Sequence, residues 1–332
     1  MTNISKISYE NRFQLSLQAV QSALEQYLSG DKEEMLEAPK KLWEAMRYST
    51  LDGGKRIRSV LAIETCLACG GDLSSILPAA CAIELVHAQS LIHDDLPCMD
   101  DDELRRGKPT LHIAYNESTA VLAGDALLAM AFGIITKYTP RGKNVGAETI
   151  LKVIDDFSDV TSVKGLVNGQ YVDIHYEEKS FTPEVLEYIH TYKTGALFRF
   201  STRTGARLAG AGDHVIETLT AFGDKIGLAF QIVDDLLDIQ STSETLGKTA
   251  GKDLTQQKAT FPALYGLANS RLQALNLISE AKEQLRQLSL QLDNIPDITP
   301  GRNLTGSHLN HGSSLNINAL LDLADYIHTR IS

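Results

Sequence analysis

Apolar side chains recur along most of this chain at intervals of three and four residues. In the first such stretch Phe13, Leu17, Val20, Leu24, Tyr27 and Leu28 fall on one face of a helix. Comparable patterns cover Leu42 to Ala68, Ala79 to His93, Thr119 to Ile135, Val185 to Thr204 and Val215 to Asp238. Alternating, strand-like segments of any length are missing. Prolines fall mostly where the helical patterns start or stop; in Thr182-Pro183-Glu184 a capping residue precedes Pro at the first helical position. The pattern predicts an all-α fold of about a dozen helices. No linker divides it, so a single domain over residues 1–332 is expected.

One segment departs from the pattern. From Asp293 to Asn318 the chain is rich in Asn, Ser, Gly and Pro, with scattered histidines, and reads as a surface loop or disordered insertion. His308 and His311 stand three apart without further ligands nearby, which is weak support for a metal. Hydrophobic residues make up 43% of the chain, enough for a real core. With 31 basic and 42 acidic residues the formal charge is −11, which argues against a nucleic-acid binder. An anionic substrate remains compatible, because local cations or metal ions can outweigh the global field. No run of 18 apolar residues occurs, so no membrane span is expected. The start MTNISKISYENRFQ lacks the layout of a signal or transit peptide, and the cytoplasm is the expected location. Cys66 and Cys69 have the spacing of half a zinc site but no matching second pair; their surroundings, VLAIETCLACGG, read as a buried helix in which thiols pack as small hydrophobes.

The chemistry begins at SLIHDDLPCMDDDELRRGKPT. Six acidic side chains lie between Asp94 and Glu103, directly after an apolar helical run. Such carboxylates repel one another unless water, counter-ions or a hard divalent cation relieves them, and Mg²⁺ is held by one or two carboxylates plus substrate phosphates. A single run would read as a solvated face. A second cluster, Asp234, Asp235 and Asp238 in GLAFQIVDDLLDIQ, also follows an apolar helix, and two such clusters favour metal bridging. Asp234 and Asp238 are one turn apart. Pro97 breaks the helix between Asp94 and Asp100 and allows Asp100 to return toward Asp94. His87, seven residues before Asp94, lies within about 20° of it on a helical wheel, so a ligand role and a core role stand level.

Cations are grouped as well. In Gly53-Gly54-Lys55-Arg56-Ile57-Arg58, glycines permit close backbone approach while Lys55 and Arg58 stand three apart, an arrangement suited to a diphosphate. A further basic stretch, LGKTAGKDLTQQKAT, reads as a loop able to close over phosphates. Metal-bridged carboxylates for one anion, separate cations for another and an apolar interior between them describe the joining of two diphosphates that carry hydrocarbon tails.

At these residues the sequence resembles the trans-type isoprenyl diphosphate synthases of the short-chain polyprenyl synthetase family. The resemblance spans nearly the whole chain: DDLPCMDDDELRRG and QIVDDLLD match the two aspartate-rich motifs, and GGKRIR, HTYKTGALF and GKTAGKDLTQQKATFPAL match other blocks. It implies the all-α isoprenoid synthase fold around a large central cavity, usually as a homodimer. It also implies an Mg²⁺-dependent condensation of isopentenyl diphosphate with a dimethylallyl, geranyl or farnesyl diphosphate, with three metal ions per site. Carried over, Asp94, Asp100, Asp234 and Asp238 hold magnesium, supported by Asp95 and Asp235. Lys55, Arg58, His87 and Arg106 bind isopentenyl diphosphate. Arg105, Lys193 and Lys258 hold the allylic diphosphate, Lys248 closes over it, and Thr194 and Gln231 stabilise the allylic cation. Ser59 stands where the family often has Pro, and Asn168 replaces one glycine of the usual GGQ block.

Product length in the family depends on the side chain five residues before the first Asp, often aromatic in fifteen-carbon enzymes. Here it is Gln89, which favours geranylgeranyl over farnesyl diphosphate. The wheel places Ser90 nearer the Asp94 face, and Phe132 is a second candidate for a block. A class I terpene cyclase would leave GGKRIR without a purpose, and a non-catalytic synthase subunit would be expected to lose aspartates that are all present here.

Overall fold

The computed structural model describes residues 9–30, 37–142, 145–177, 179–240, 260–293 and 315–330. Helices account for nearly all of them, as the apolar period predicts. The described residues form two compact units, one drawn from residues 9–60 and 77–139, the other from 61–76, 140–240 and 260–330. Of the insertion, residues 294–314 lie outside the described residues, as do His308 and His311.

In the first unit, α1 (Tyr9–Tyr27) buries Val20, Ala23 and Leu24 along the predicted face. The apolar pattern from Leu42 to Ala68 is interrupted in the structure: α2 (Glu37–Thr50) ends, and α3 (Ile57–Ala68) begins only after Gly53 and Gly54 pass through the left-handed region at φ of 71° and 105°. Apolar period alone could not show this break, since both flanking helices face apolar surroundings; the glycines carry the signal. Helix α4 (Leu73–Asp94) carries Pro78 near its start and buries Ala82, Ile83, Leu85 and Val86 on successive positions, which explains its nearly unbroken hydrophobicity.

Two-residue strands β1 (Leu104–Arg105) and β2 (Lys108–Pro109) then form a small antiparallel hairpin. Its turn residues, Arg106 and Gly107, have φ of 54° and 77°, the left-handed pair of a tight hairpin turn. Short α5 (Leu111–Ala114) leads into α6 (Glu117–Tyr138), where Asn116 accepts a bond from the Thr119 N–H as N-cap. By length and composition α4 and α6 could each cross a membrane, although two thirds of the apolar window of α4 is buried inside the protein.

In the second unit, α7 (Ala147–Thr161) buries Ile150, Val153, Phe157 and Val160, and Phe157 packs against Phe200 with centroids 4.8 Å apart. Helix α8 (Leu166–His175) precedes α9 (Pro183–Ile189), which starts with the expected Thr182-Pro183. The predicted segment Val185 to Thr204 is not one regular helix. A π-helical stretch, His190–Gly195, separates α9 from α10 (Ala196–Leu208). Helix α11 (Asp213–Gln240) lies between α10 and α12 (Phe261–Asp293), and α13 (Asn318–Thr329) closes the described chain. Cys66, Cys69 and Cys81 are buried free thiols, and burial pushes the first two up to about 12, consistent with packing rather than redox or metal chemistry.

Candidate active site

The first acidic cluster sits where α4 stops. After Asp94 the chain turns back on itself: the Asp100 N–H donates to the Asp94 carbonyl at 2.8 Å, and the Asp102 N–H donates to the Asp95 carbonyl at 3.2 Å. The backbone of Asp100 therefore returns to Asp94 around Pro97. Asp95 points inward instead. It is buried, and the Arg105 guanidinium donates to it from Nε at 2.7 and 3.0 Å, with Nη2 2.6 Å from Oδ1. Burial pushes the Asp95 carboxyl up to about 6, against the downward pull of Arg105.

The hairpin explains why neighbouring arginines act differently. Arg105, in the strand, reaches Asp95 and, at 3.4 Å, Asp102. Arg106, in the turn, sends Nη1 to the carbonyls of Gly53 at 3.0 Å and Asp52 at 3.3 Å. Its guanidinium lies so close to Gly54 that a Cβ there would meet it at 2.9–3.1 Å. Two basic groups far apart in the sequence, GGKRIR and RRG, are thus assembled into one place. His87 lies among them: burial lowers its pKa well below the usual histidine range, and Arg58, Arg106, Arg56 and Arg105 lower it further. A neutral imidazole among guanidiniums marks a pocket of positive potential that suits an anion. Tyr48, Asp52, Ala88, Leu91, Arg105 and Arg106 line a cleft beside it.

Gln89 is buried, and its amide lies 3.2 Å from His93 Nδ1, whose Nε2 is 3.2 Å from the Val121 carbonyl of α6. Gly124 makes room for that ring; a Cβ there would fall 2.1 Å from Nε2. The Ser90 hydroxyl donates to the His87 carbonyl at 3.0 Å and stays on its own helix. Phe132 is half-buried on α6.

In the second unit the π-helical stretch sets the geometry. It carries the backbone of Tyr192 and Lys193 past α8 at a close approach that Gly169 permits, since a Cβ there would lie 2.2 Å from the Lys193 nitrogen. π-Helical turns inside α-helices often occur at functional sites. Lys193 Nζ donates to Asp173 at 2.6 Å. Thr194 donates its hydroxyl proton to Gln231 Oε1 at 2.6 Å, Gln231 Nε2 donates to Asp235 Oδ1 at 2.8 Å, and Asp235 Oδ2 accepts from the Phe261 N–H at 3.0 Å. This series fixes which way the Gln231 amide points. Asp234 behaves differently from Asp235: its Oδ1 accepts from Arg330 at 2.7 Å, and that guanidinium lies 4.9 Å from the centroid of the Phe230 ring.

The structure thus brings Arg58, Arg105 and Arg106 to His87 in one unit, and Lys193, Thr194, Gln231 and Asp235 together in the other. Lys55 is exposed on its loop. Lys248 and Lys258 lie outside the described residues. Three groups that contact these residues or sit beside them were not singled out as site candidates in the sequence: Asp173, which accepts from Lys193, and Arg56 and Glu84, a buried ion pair whose signal was a lone Glu inside an apolar helix. Asn168, the departure from the GGQ block, donates to the Tyr188 hydroxyl at 2.7 Å and ties α8 to α9.

Magnesium suits this donor set. Carboxylate oxygens are hard ligands, and Asp234 already draws a cation in the form of Arg330. Among the described residues no three His, Cys, Asp or Glu side chains converge into a ready-made cage.

Paired carboxylates and clustered guanidiniums on a mainly helical fold suit a prenyltransferase, and comparison with known proteins shows that class. Residues 39–292 match the polyprenyl synthetase model. The chain is 50% identical over 248 residues to a geranylgeranyl diphosphate synthase of Cyanophora paradoxa, covering 74% of this chain and 82% of that protein. It is 43% identical over 283 residues to a farnesyl diphosphate synthase of Geobacillus stearothermophilus, covering 85% and 93%. A geranyltransferase structure from Helicobacter pylori, complexed with magnesium and isoprenyl diphosphate, matches with a TM-score of 0.73 at 33% identity, over 84% of this chain and 91% of that one. The chain belongs to the polyprenyl synthetase family and is a trans-isoprenyl diphosphate synthase.

Two outcomes follow from these contacts. Burial lowers the His190 pKa from 6.5 to about 4, so the folded protein keeps the ring neutral while the unfolded chain protonates it below 6.5. This stabilisation is present above pH 6.5 and is lost as pH falls toward 4, by about 2–3 kcal/mol. Urea unfolding of metal-free protein at pH 7 and pH 4.5 should show that His190→Phe loses less stability between the two than wild type. Arg330→Gln removes the cation held by Asp234, and calorimetry without substrate should find Mg²⁺ binding severalfold tighter.

Proposed function

We propose that the protein condenses isopentenyl diphosphate with an allylic diphosphate to form geranylgeranyl diphosphate. The observation that carries this reading is the pocket of positive potential around His87, built by Arg58, Arg105 and Arg106 beside the Asp94–Asp100 turn. Anion-binding cations next to metal-suited carboxylates match a substrate that arrives as a diphosphate.

In this reading Lys55, Arg58, His87 and Arg106 hold isopentenyl diphosphate, and Arg105, Lys193 and Lys258 hold the allylic diphosphate, over which Lys248 closes. Asp94, Asp100, Asp234 and Asp238 hold magnesium, three ions to a site. Magnesium, when bound, neutralises the allylic diphosphate as a leaving group. The Thr194 and Gln231 oxygens face the developing allylic cation, and Asp235 keeps the amide oriented through its bond from Gln231 Nε2. Such a fixed dipole needs no reorientation as charge develops. The double bond of isopentenyl diphosphate attacks the allylic carbon, the carbon–carbon bond forms, and diphosphate and a proton leave. Apolar helix faces exclude water that would otherwise capture the cation.

The product assignment rests on Gln89, whose side chain is turned to His93 and brings no aromatic ring. The geranylgeranyl name of the Cyanophora relative supports it. Half-buried Phe132 favours the second reading, farnesyl diphosphate. A homodimer is proposed through α6, whose apolar window is only 39% buried and exposes Val121 and Leu122. A cytoplasmic location completes the reading.

Asp94→Ala and Asp234→Ala should each lower turnover by about 10²-fold or more while the far-ultraviolet circular dichroism stays helical. Turnover near wild type in either variant would contradict the metal assignment. Gln89→Tyr should shift the product from twenty toward fifteen carbons, read by chromatography of the dephosphorylated alcohols; an unchanged distribution would refute its role.

A further inference from the structure

Arg56 lies between the two cations proposed to bind isopentenyl diphosphate, yet it does not face solvent. It is buried, and its backbone has φ of 49°, a left-handed conformation that side-chain-bearing residues rarely adopt. Three contacts hold it there. Nη1 donates to Glu84 Oε2 at 2.8 Å, with both side chains less than 5% exposed. Nη2 donates to the Thr50 carbonyl at 2.5 Å. The third is indirect: the Ser59 hydroxyl meets the other oxygen of the same carboxylate, Glu84 Oε1, and lies 2.9 Å from the Ala80 carbonyl. Ser59 is fully buried and is the residue that stands where the family often has Pro.

A buried carboxylate with one oxygen unsatisfied is free to pivot and loses part of its grip on the guanidinium. With both oxygens engaged, Glu84 keeps one rotamer, Arg56 keeps its left-handed turn, and the direction in which Gly53-Gly54-Lys55 leaves that turn is fixed. Glu84 also stands three residues before His87, hence on the same side of α4. We propose that Ser59 is a positioning residue for isopentenyl diphosphate: acting through Glu84 and Arg56, it sets the turn that presents Lys55 and leads into Arg58 at the start of α3. The inference rests on the assignment of that diphosphate to Lys55, Arg58, His87 and Arg106, and goes beyond it by naming a residue that touches no substrate.

The test compares Ser59→Ala, Ser59→Thr and Arg58→Ala by steady-state kinetics with Mg²⁺, varying each diphosphate in turn. Ser59→Ala should raise the KM for isopentenyl diphosphate about five- to tenfold, part of the lost bond to Glu84 being passed on as a looser Lys55–Arg58 arrangement. Its kcat and its KM for the allylic diphosphate should stay within about twofold of wild type. Ser59→Thr keeps the hydroxyl and should restore the wild-type KM, which a merely structural role would not require. If Ser59→Ala does not fold, Ser59→Cys, a near-isosteric weak donor, should give the same selective rise. An unchanged KM in a folded variant, or equal losses toward both diphosphates, would overturn the proposal. Arg58→Ala separates the two levels: if it raises the KM while Ser59→Ala does not, only the positioning role fails. If Arg58→Ala also leaves that KM unchanged, the diphosphate assignment fails, and the positioning role with it.

Discussion

Charge taken out of water needs a partner, and the functional groups of this protein are arranged under that constraint. The acidic and basic motifs end or interrupt apolar helices, so each charged group that turns inward must find its complement within the fold. Asp95 finds Arg105, Arg56 finds Glu84, and Lys193 finds Asp173. Two groups of the same cluster are balanced differently. His87 is kept neutral among guanidiniums, and Arg106 meets only backbone carbonyls of its neighbouring loop. In this way inward-facing charges build a frame, and positive potential remains around His87.

The second unit meets the same constraint with dipoles. A single hydrogen-bonded series runs from a hydroxyl in the π-helical stretch, through an amide on α11, to a carboxylate and a backbone N–H on α12. Each member limits the orientation of the next, so neither the Thr194 nor the Gln231 oxygen needs to search for its direction. The irregular turn of helix matters because it brings the Tyr192–Lys193 backbone against Gly169, a contact that a side chain there would forbid.

Much of this was legible in the chain. Helical period gave α1, α6 and α11 within a few residues, because each shows apolar residues at regular intervals, and it gave α4 apart from its first six residues. The paired aspartates and GGKRIR stood out because acid and base are scarce beside apolar runs. Three things were not legible. The π-helical stretch keeps the same residue types as a regular helix and differs only in which carbonyl each N–H finds. The hairpin that separates Arg105 from Arg106 is too short to show alternation. The division of labour within each Asp pair, Asp95 inward against Asp94 and Asp235 inward against Asp234, depends on partners outside the pair, among them Arg105 and the Phe261 N–H. Ser59 appeared in the sequence only as a departure from a family pattern, and its meaning required Glu84.

The bond from the Phe261 N–H to Asp235 has a consequence for how the chain tolerates change. It ties the start of α12 to the end of α11 across 26 residues of sequence. The ends of the intervening stretch are therefore fixed by the folded core, and closing that span is not left to the stretch itself. Lengthening a connection whose ends are already held adds an entropic term that grows only logarithmically with length. Natural variation in the number of residues there would thus leave the dipole series undisturbed, and the two can diverge at separate evolutionary rates.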